Sequence, residues 1–435
     1  MENASPHFVR LKYLVCFCFF FPTFDSFDGL FGFSAGAVLF RIILILILLF
    51  FFFKFSSKIS IINEFHYSTI KIISILFLTF SFLVSFSLIA GLNNLVMRDV
   101  FELHRPLYYS LIVMSSMIIS KNEHLLYRNF LFPFIIIIIV EAFLAIIHPL
   151  KIPVFQNLFL FYTKTPNALG YRATGTFGNP YDFGVVMVFL SILSFQIYLG
   201  KKKVYFLALF LICLFSMLLS QSKTALFIFI SCFLYGSTIS LIINRNLKII
   251  SKFFLGIIVT IFVGIFFYED IYKLWIESFI YMDKAFDFER VIRKSFQTGN
   301  RLYDLFWVLE RYESANLLNW LFGLGIGKGI YDDIEFGYAI YLYRYGIIGL
   351  FMYISILLGT YMISLKSLMV SKTLKLDNYK KLFYAFHIWS FGIIIGTLAN
   401  NFIDQPRITF LYFSLVGLSL GFLISSYKTN YINKL

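Results

Sequence analysis

Residues 128–149 read RNFLFPFIIIIIVEAFLAIIHP, an apolar run with a single carboxylate, Glu141, near its middle. A helix needs roughly 20 predominantly apolar residues to cross a bilayer, and this stretch supplies them without a break. Comparable runs lie on either side, at 8–24, 31–53, 70–92, 105–120, 180–199, 204–220, 224–243, 249–268, 337–362, 382–403 and 408–427. The expected fold is therefore all-α and polytopic, with about twelve transmembrane helices. Residues 8–24 are followed by Thr23-Phe24-Asp25-Ser26-Phe27, which lacks a small-residue cleavage site. They are read as a retained first helix, not a cleaved signal.

Composition points the same way. Of the 435 residues 60% are hydrophobic and 14% charged, with a mean hydropathy of +0.82. A soluble domain carries about 25% charged residues to wet its surface. The net charge of +14 is scattered between apolar runs, so it argues against nucleic acid and for orientation in a membrane. The cysteines Cys16, Cys18, Cys213 and Cys232 all fall inside apolar runs and have no ligand-like neighbours, so neither a disulfide framework nor a metal site is expected.

With the N-terminus inside, the predicted inner segments hold Lys201-Lys202-Lys203, Lys248, Lys252, Lys366, Lys372, Lys375, Lys380 and Lys381. The short outer loops hold only scattered cations such as Arg98, Lys151, Arg172, Lys223 and Arg407. This asymmetry places both termini in the cytoplasm. The chain then divides into N-terminal spans (1–149), a first outer loop (150–179), central spans (180–268), a large helical outer loop between helices 9 and 10 (269–336) and C-terminal spans (337–435). No internal repeat is visible, which weakens an inverted-repeat transporter.

The first outer loop ends Arg172-Ala173-Thr174-Gly175-Thr176-Phe177-Gly178-Asn179-Pro180. Asn179 before Pro180 reads as an N-cap followed by proline at the first helical position. Arg172 then lies on a turn above a helix N-terminus, which suits an anion; a plain turn with a snorkelling arginine fits equally. In the second loop Arg290, Arg293, Lys294, Gln297 and Arg301 fall on one helical stripe, with Gly299 a candidate break before Arg301. Such a stripe is either a solvated face or a surface for phosphorylated ligands or lipid headgroups.

Gly323-Leu324-Gly325-Ile326-Gly327-Lys328-Gly329 matches neither a P-loop nor a dinucleotide fingerprint and reads as a flexible turn close to the membrane. Asp333 and Glu335 precede the tenth span, where a carboxylate is a candidate general base or an interfacial acid. Tyr338, Tyr341, Tyr343 and Tyr345 read as an aromatic belt. Ionisable groups within spans are functional candidates, and a Glu141–Arg41 pair is one arrangement. Lys223 stands in the polar turn Ser220-Gln221-Ser222-Lys223-Thr224, and Asp404 and Arg407 are close enough in sequence to pair.

Taken in order, the Arg172–Pro180 stretch, the turn at 220–224, Arg301 with the glycine stretch at 323–327, and a polar residue eleven positions before Gly346-Ile347-Ile348-Gly349 resemble the O-antigen polymerase and O-antigen ligase superfamily of the bacterial envelope. The resemblance covers roughly 165–350. It implies glycosyl transfer at the periplasmic face of the inner membrane from a glycan on a polyprenyl diphosphate, with no sugar nucleotide, cofactor or metal. Arg172 and Arg301 match arginines that hold the diphosphate, and Lys223 a position where arginine is common; Asn179, Arg290, Arg293 and Lys294 join them as candidate binding residues. Glu335 stands where ligases carry a histidine base. That departure favours a polymerase over a ligase, with Asp333 the alternative base. Membrane lipid and a polysaccharide chain-length regulator are the candidate partners. A transporter or flippase without catalysis is the rival from another class.

Overall fold

The computed structural model describes residues 15–16, 19–20, 39, 41–49, 67–92, 97–120, 126, 130–150, 152–160, 162, 172–244, 301–327 and 334–432. Among these the regular structure is helical. The principal helices are α1 (Tyr67–Ala90), α2 (Arg105–Ile119), α3 (Phe132–Leu150), α4 (Pro153–Phe159), α5 (Pro180–Lys201), α6 (Val204–Leu219), α7 (Lys223–Asn244), α8 (Arg301–Glu313), α9 (Leu317–Phe322), α10 (Gly337–Thr373), α11 (Asp377–Gly396) and α12 (Pro406–Ile432).

Six of them, α1, α3, α5, α7, α10 and α12, contain stretches long and apolar enough to cross a membrane. The chain is thus a helical membrane protein. The expected spans at 70–92, 105–120, 128–149, 180–199, 204–220, 224–243, 337–362, 382–403 and 408–427 each coincide with a helix. Those at 8–24 and 31–53 are described only in part, and 249–268 lies outside the described residues. The two largest boundary differences are at α10, which runs on to Thr373, and at α11, which stops at Gly396 and leaves 397–405 as an irregular connection whose Asp404 side chain finds tertiary partners.

Helix α5 is the axis of the bundle. Within its apolar stretch 78% of residues are buried, against 28% for α1 and α10, so α5 packs on protein while α1 and α10 present their flanks outward. The α5 side chains from Val185 to Leu190 are enclosed, and Trp389 of α11 donates its indole N–H to the Val185 carbonyl at 3.0 Å. A buried indole N–H needs such an acceptor.

Contacts between helix termini define two distinct ends of the bundle. At one, Lys201, Lys202, Lys203, Lys366, Lys372 and Lys375 are exposed, and Tyr379 bonds the Ser120 carbonyl at 2.6 Å. At the other, Ala173 N–H bonds Leu219 O at 3.0 Å, Gly337 N–H bonds Thr397 O at 3.0 Å and Tyr108 bonds Pro406 O at 3.2 Å. The candidate residues that are described gather at this second end, referred to below as the Asp404 end.

Helix α10 breaks at Gly346, whose φ of 66° and ψ of −163° are non-helical. A Cβ there would meet the Leu321 carbonyl group and the Gly323 nitrogen, so only glycine fits both the dihedral and the space.

Candidate functional site

At the Asp404 end, loop 397–405 carries the residue around which a charged cluster closes. The Asp404 carboxylate forms an ion pair with Arg105 at the start of α2 and a second, at 3.5 Å, with Arg344 of α10. It also accepts hydrogen bonds from the Tyr341 hydroxyl at 3.0 Å and the Asn401 amide at 2.6 Å. Arg105 pairs as well with Glu102, one turn earlier. Arg41 donates to the Asp404 backbone carbonyl at 2.7 Å, and its other Nη lies 3.4 Å from the His104 ring. Burial by itself would raise the Asp404 carboxyl, but the Arg105 and Arg344 guanidinium groups outweigh it and hold that carboxyl below its ordinary value.

Two pairings expected from the sequence are not the ones formed. Arg41 goes to the Asp404 carbonyl and His104, while Glu141 receives Thr176. Asp404 goes to Arg105 and Arg344, and Arg407 sits over the rings of Phe177 and Tyr162, at 5.2 and 5.3 Å. At Asp404 the neighbour in sequence, Arg407, lost to partners that helix packing brings closer. The tyrosine belt is corrected too: Tyr341, Tyr343 and Tyr345 are buried, because the cluster and the α10 kink enclose them.

The Arg172 turn is held from several sides. Thr174 bonds His148 at 2.9 Å, and Thr176 gives its N–H and hydroxyl to Glu141 at 2.9 and 2.5 Å. Asn179 caps α5 as expected, accepting the Asp182 N–H at 2.8 Å and donating to the Asp182 carboxylate at 2.7 Å. Above this frame the half-buried Arg172 guanidinium lies 4.8 Å over the Tyr181 ring, with Nε 3.5 Å from the Ser220 carbonyl. Ser220 opens the turn that leads to the exposed Lys223 at the start of α7. Ser222 caps that helix through the Ala225 N–H at 3.1 Å. Arg172, Asn179 and Lys223 therefore belong to one local assembly of two helix N-termini.

A second assembly joins Arg301 to Glu335. Arg301 is the first described residue of α8, and its side chain lies outside the described residues. One turn on, the Asp304 carboxylate accepts the backbone N–H groups of Glu335 at 3.1 Å and Phe336 at 3.4 Å. This fixes the chain entering α10 against the first turn of α8 and leaves the Glu335 side chain exposed. Asp304 was not visible as a site residue in the sequence; its position one turn after Arg301 on an amphipathic helix is the signal that could have found it. Asp333, Arg290, Arg293 and Lys294 lie outside the described residues.

The glycine stretch is a packed turn where a flexible one was expected. Leu324 N–H bonds Tyr343 O at 2.8 Å, and Gly325, at φ 105°, lies so close to Gly91 that a Cβ would sit 2.8 Å from the Gly91 Cα. Chemically, this end of the bundle offers two separate elements: Arg172 and Lys223 around the starts of α5 and α7, suited to an anion, and the exposed Glu335 carboxylate at the entry to α10, suited to proton removal. No family model, curated protein or solved structure matches the chain.

Proposed function

We propose that this protein is a surface-polysaccharide polymerase of the bacterial inner membrane. It joins repeat units carried on polyprenyl diphosphate, by metal-independent glycosyl transfer at the periplasmic face. In this reading the chain has twelve spans with both termini cytoplasmic, and the Asp404 end faces the periplasm. The exposed lysines at the opposite end support that orientation, because positive residues are retained on the cytoplasmic side.

The observation that carries the reading is the Asp304 bridge, which seats Glu335 against the helix that carries Arg301. Glu335 takes the proton from the attacking sugar hydroxyl, and the anomeric carbon–phosphate oxygen bond breaks as the new glycosidic bond forms. The leaving polyprenyl diphosphate gains negative charge, which Arg301, Arg172 and Lys223 stabilise; a well-placed donor in a partly dry site contributes about 3 kcal/mol. The donor's polyprenyl tail remains among lipid and the aromatic-rich spans. Among the described residues the Arg105–Asp404–Arg344 ion pairs lie together at one end of the bundle, whereas a transporter needs charges along a path.

Purified protein incubated with lipid-linked repeat units tests the proposal. The wild-type chain should lengthen them, and Arg172→Ala, Arg301→Ala and Glu335→Gln should insert normally yet leave single units. Wild-type product lengths in all three variants would discard these roles. Loss of the gene separates polymerase from ligase: a single repeat left on lipid A–core marks the former, and free carrier-linked chains the latter.

A further inference from the structure

Helix α9 is Leu-Leu-Asn-Trp-Leu-Phe, and none of its residues is buried: Leu317 is 75% and Leu318 42% exposed. An apolar face of this kind requires a partner. The position of α9 in the fold says which. Its last residue, Phe322, packs on Phe86 and Phe82 of α1, with ring centroids 4.5 and 5.8 Å apart. Those two rings lie inside the apolar stretch Ile73–Ala90, four and eight residues before the end of α1. At 1.5 Å per residue that is a depth of about 6 to 12 Å below the helix end. The chain then climbs back, since Gly325 meets Gly91, just beyond α1. Residues 314–327 therefore descend beside a membrane helix and return on the same side.

Irregular backbone at such a depth is tolerable where its polar groups are satisfied by protein, and several partners are in place on both sides of the contact with α10. The α10 kink at Gly346 frees three consecutive carbonyls, and each finds a donor on a different element. Leu342 O accepts the Tyr312 hydroxyl of α8 at 2.6 Å, Tyr343 O accepts Leu324 N–H at 2.8 Å, and Arg344 O accepts the Ser87 hydroxyl of α1. Gly323 N–H closes α9 on Asn319 O at 2.7 Å. The turn residues Gly323, Gly325, Ile326 and Gly327 are themselves buried. The uncovered apolar surface continues onto Phe82 of α1 and onto Ile347 and Phe351 of α10.

We infer that residues 314–327 form a re-entrant element, with α9 lying in the interfacial layer and upper acyl chains of the leaflet at the Asp404 end and its leucines against lipid. This surface is a lipid contact, whatever reaction the protein catalyses.

Spin labels in proteoliposomes of the full chain test it. Leu317→Cys and Leu318→Cys are labelled separately, Ser314→Cys serves as the water-exposed reference, and the unsubstituted chain gives the background from native cysteines. Collision with oxygen, which concentrates in acyl chains, is compared with collision with a water-soluble nickel chelate. The oxygen-to-nickel ratio at 317 and 318 should exceed that at 314 several-fold. A ratio equal to that at 314 would put α9 in water and overturn the inference. Access by neither reagent would mean that protein covers the face, and would overturn it equally. Both leucines are exposed, so their replacement leaves the fold intact, and two positions guard against one failed variant.

Discussion

The Glu141 carboxylate receives both the N–H and the hydroxyl of Thr176, at 2.9 and 2.5 Å, across thirty-five residues of chain. A carboxyl group buried in an apolar helix is tolerated only when its oxygens are occupied, and here the turn that carries Arg172 occupies them. The same hydroxyl lies 3.0 Å from the Phe19 carbonyl, which competes with Glu141 for its one hydrogen.

Thr176→Val keeps the N–H donor but removes the hydroxyl, leaving one carboxylate oxygen without it. Destabilisation of about 1–3 kcal/mol is expected, whereas Thr176→Ser should remain near the wild type. Denaturant unfolding in detergent micelles measures both. Equal stability of the valine and serine variants would mean that the bond contributes nothing.

Asp404 has a pH signature. Its folded carboxyl titrates below the ordinary value, so its stabilisation is complete above the unfolded pKa and is lost as pH falls through the folded one. Asp404→Asn leaves Arg105 and Arg344 buried beside a neutral amide and should cost about 3–5 kcal/mol at neutral pH. The gap between variant and wild type should narrow as thermal unfolding is followed down to about pH 3. A gap that stays constant with pH would exclude Asp404 as the titrating group.

Two glycines make a contrast. Gly325→Ala places a Cβ against Gly91 at a φ of 105° and should destabilise by about 1–3 kcal/mol. Gly359, within α10, has nothing within 4 Å of a built Cβ, so Gly359→Ala should gain about 0.5–1 kcal/mol. Melting temperatures of the two variants should move in opposite directions. A shift in the same direction would show that the Gly91 contact does not constrain the turn.

Asn179→Ala removes both halves of the reciprocal bond with Asp182. It should cost about 0.5–2 kcal/mol, and Asn179→Ser should recover part of this. A fully stable alanine variant, judged by thermal unfolding, would show that α5 starts well without its cap.

Much of the architecture could be read from the sequence because a bilayer imposes a length and a polarity on any helix that crosses it. Apolar runs therefore marked nine helices directly, and Asn179-Pro180 marked the start of α5 to the residue. Arg172 on the turn before α5 and Lys223 where α6 turns into α7 were legible in the same way, since local chemistry alone writes a cap or a turn. Which charges meet was not legible. Asp404 could have closed on Arg407, three residues away, but α2 and α10 bring Arg105 and Arg344 nearer, while Arg407 lies over the rings of Tyr162 and Phe177. The same holds for the glycine turn, whose φ values could be guessed but whose partners, Gly91 and the carbonyls freed at Gly346, come from helices distant in sequence. Hydropathy is a property of each segment, whereas an ion pair or a docked carbonyl depends on the distance between segments, and only tertiary packing sets that distance.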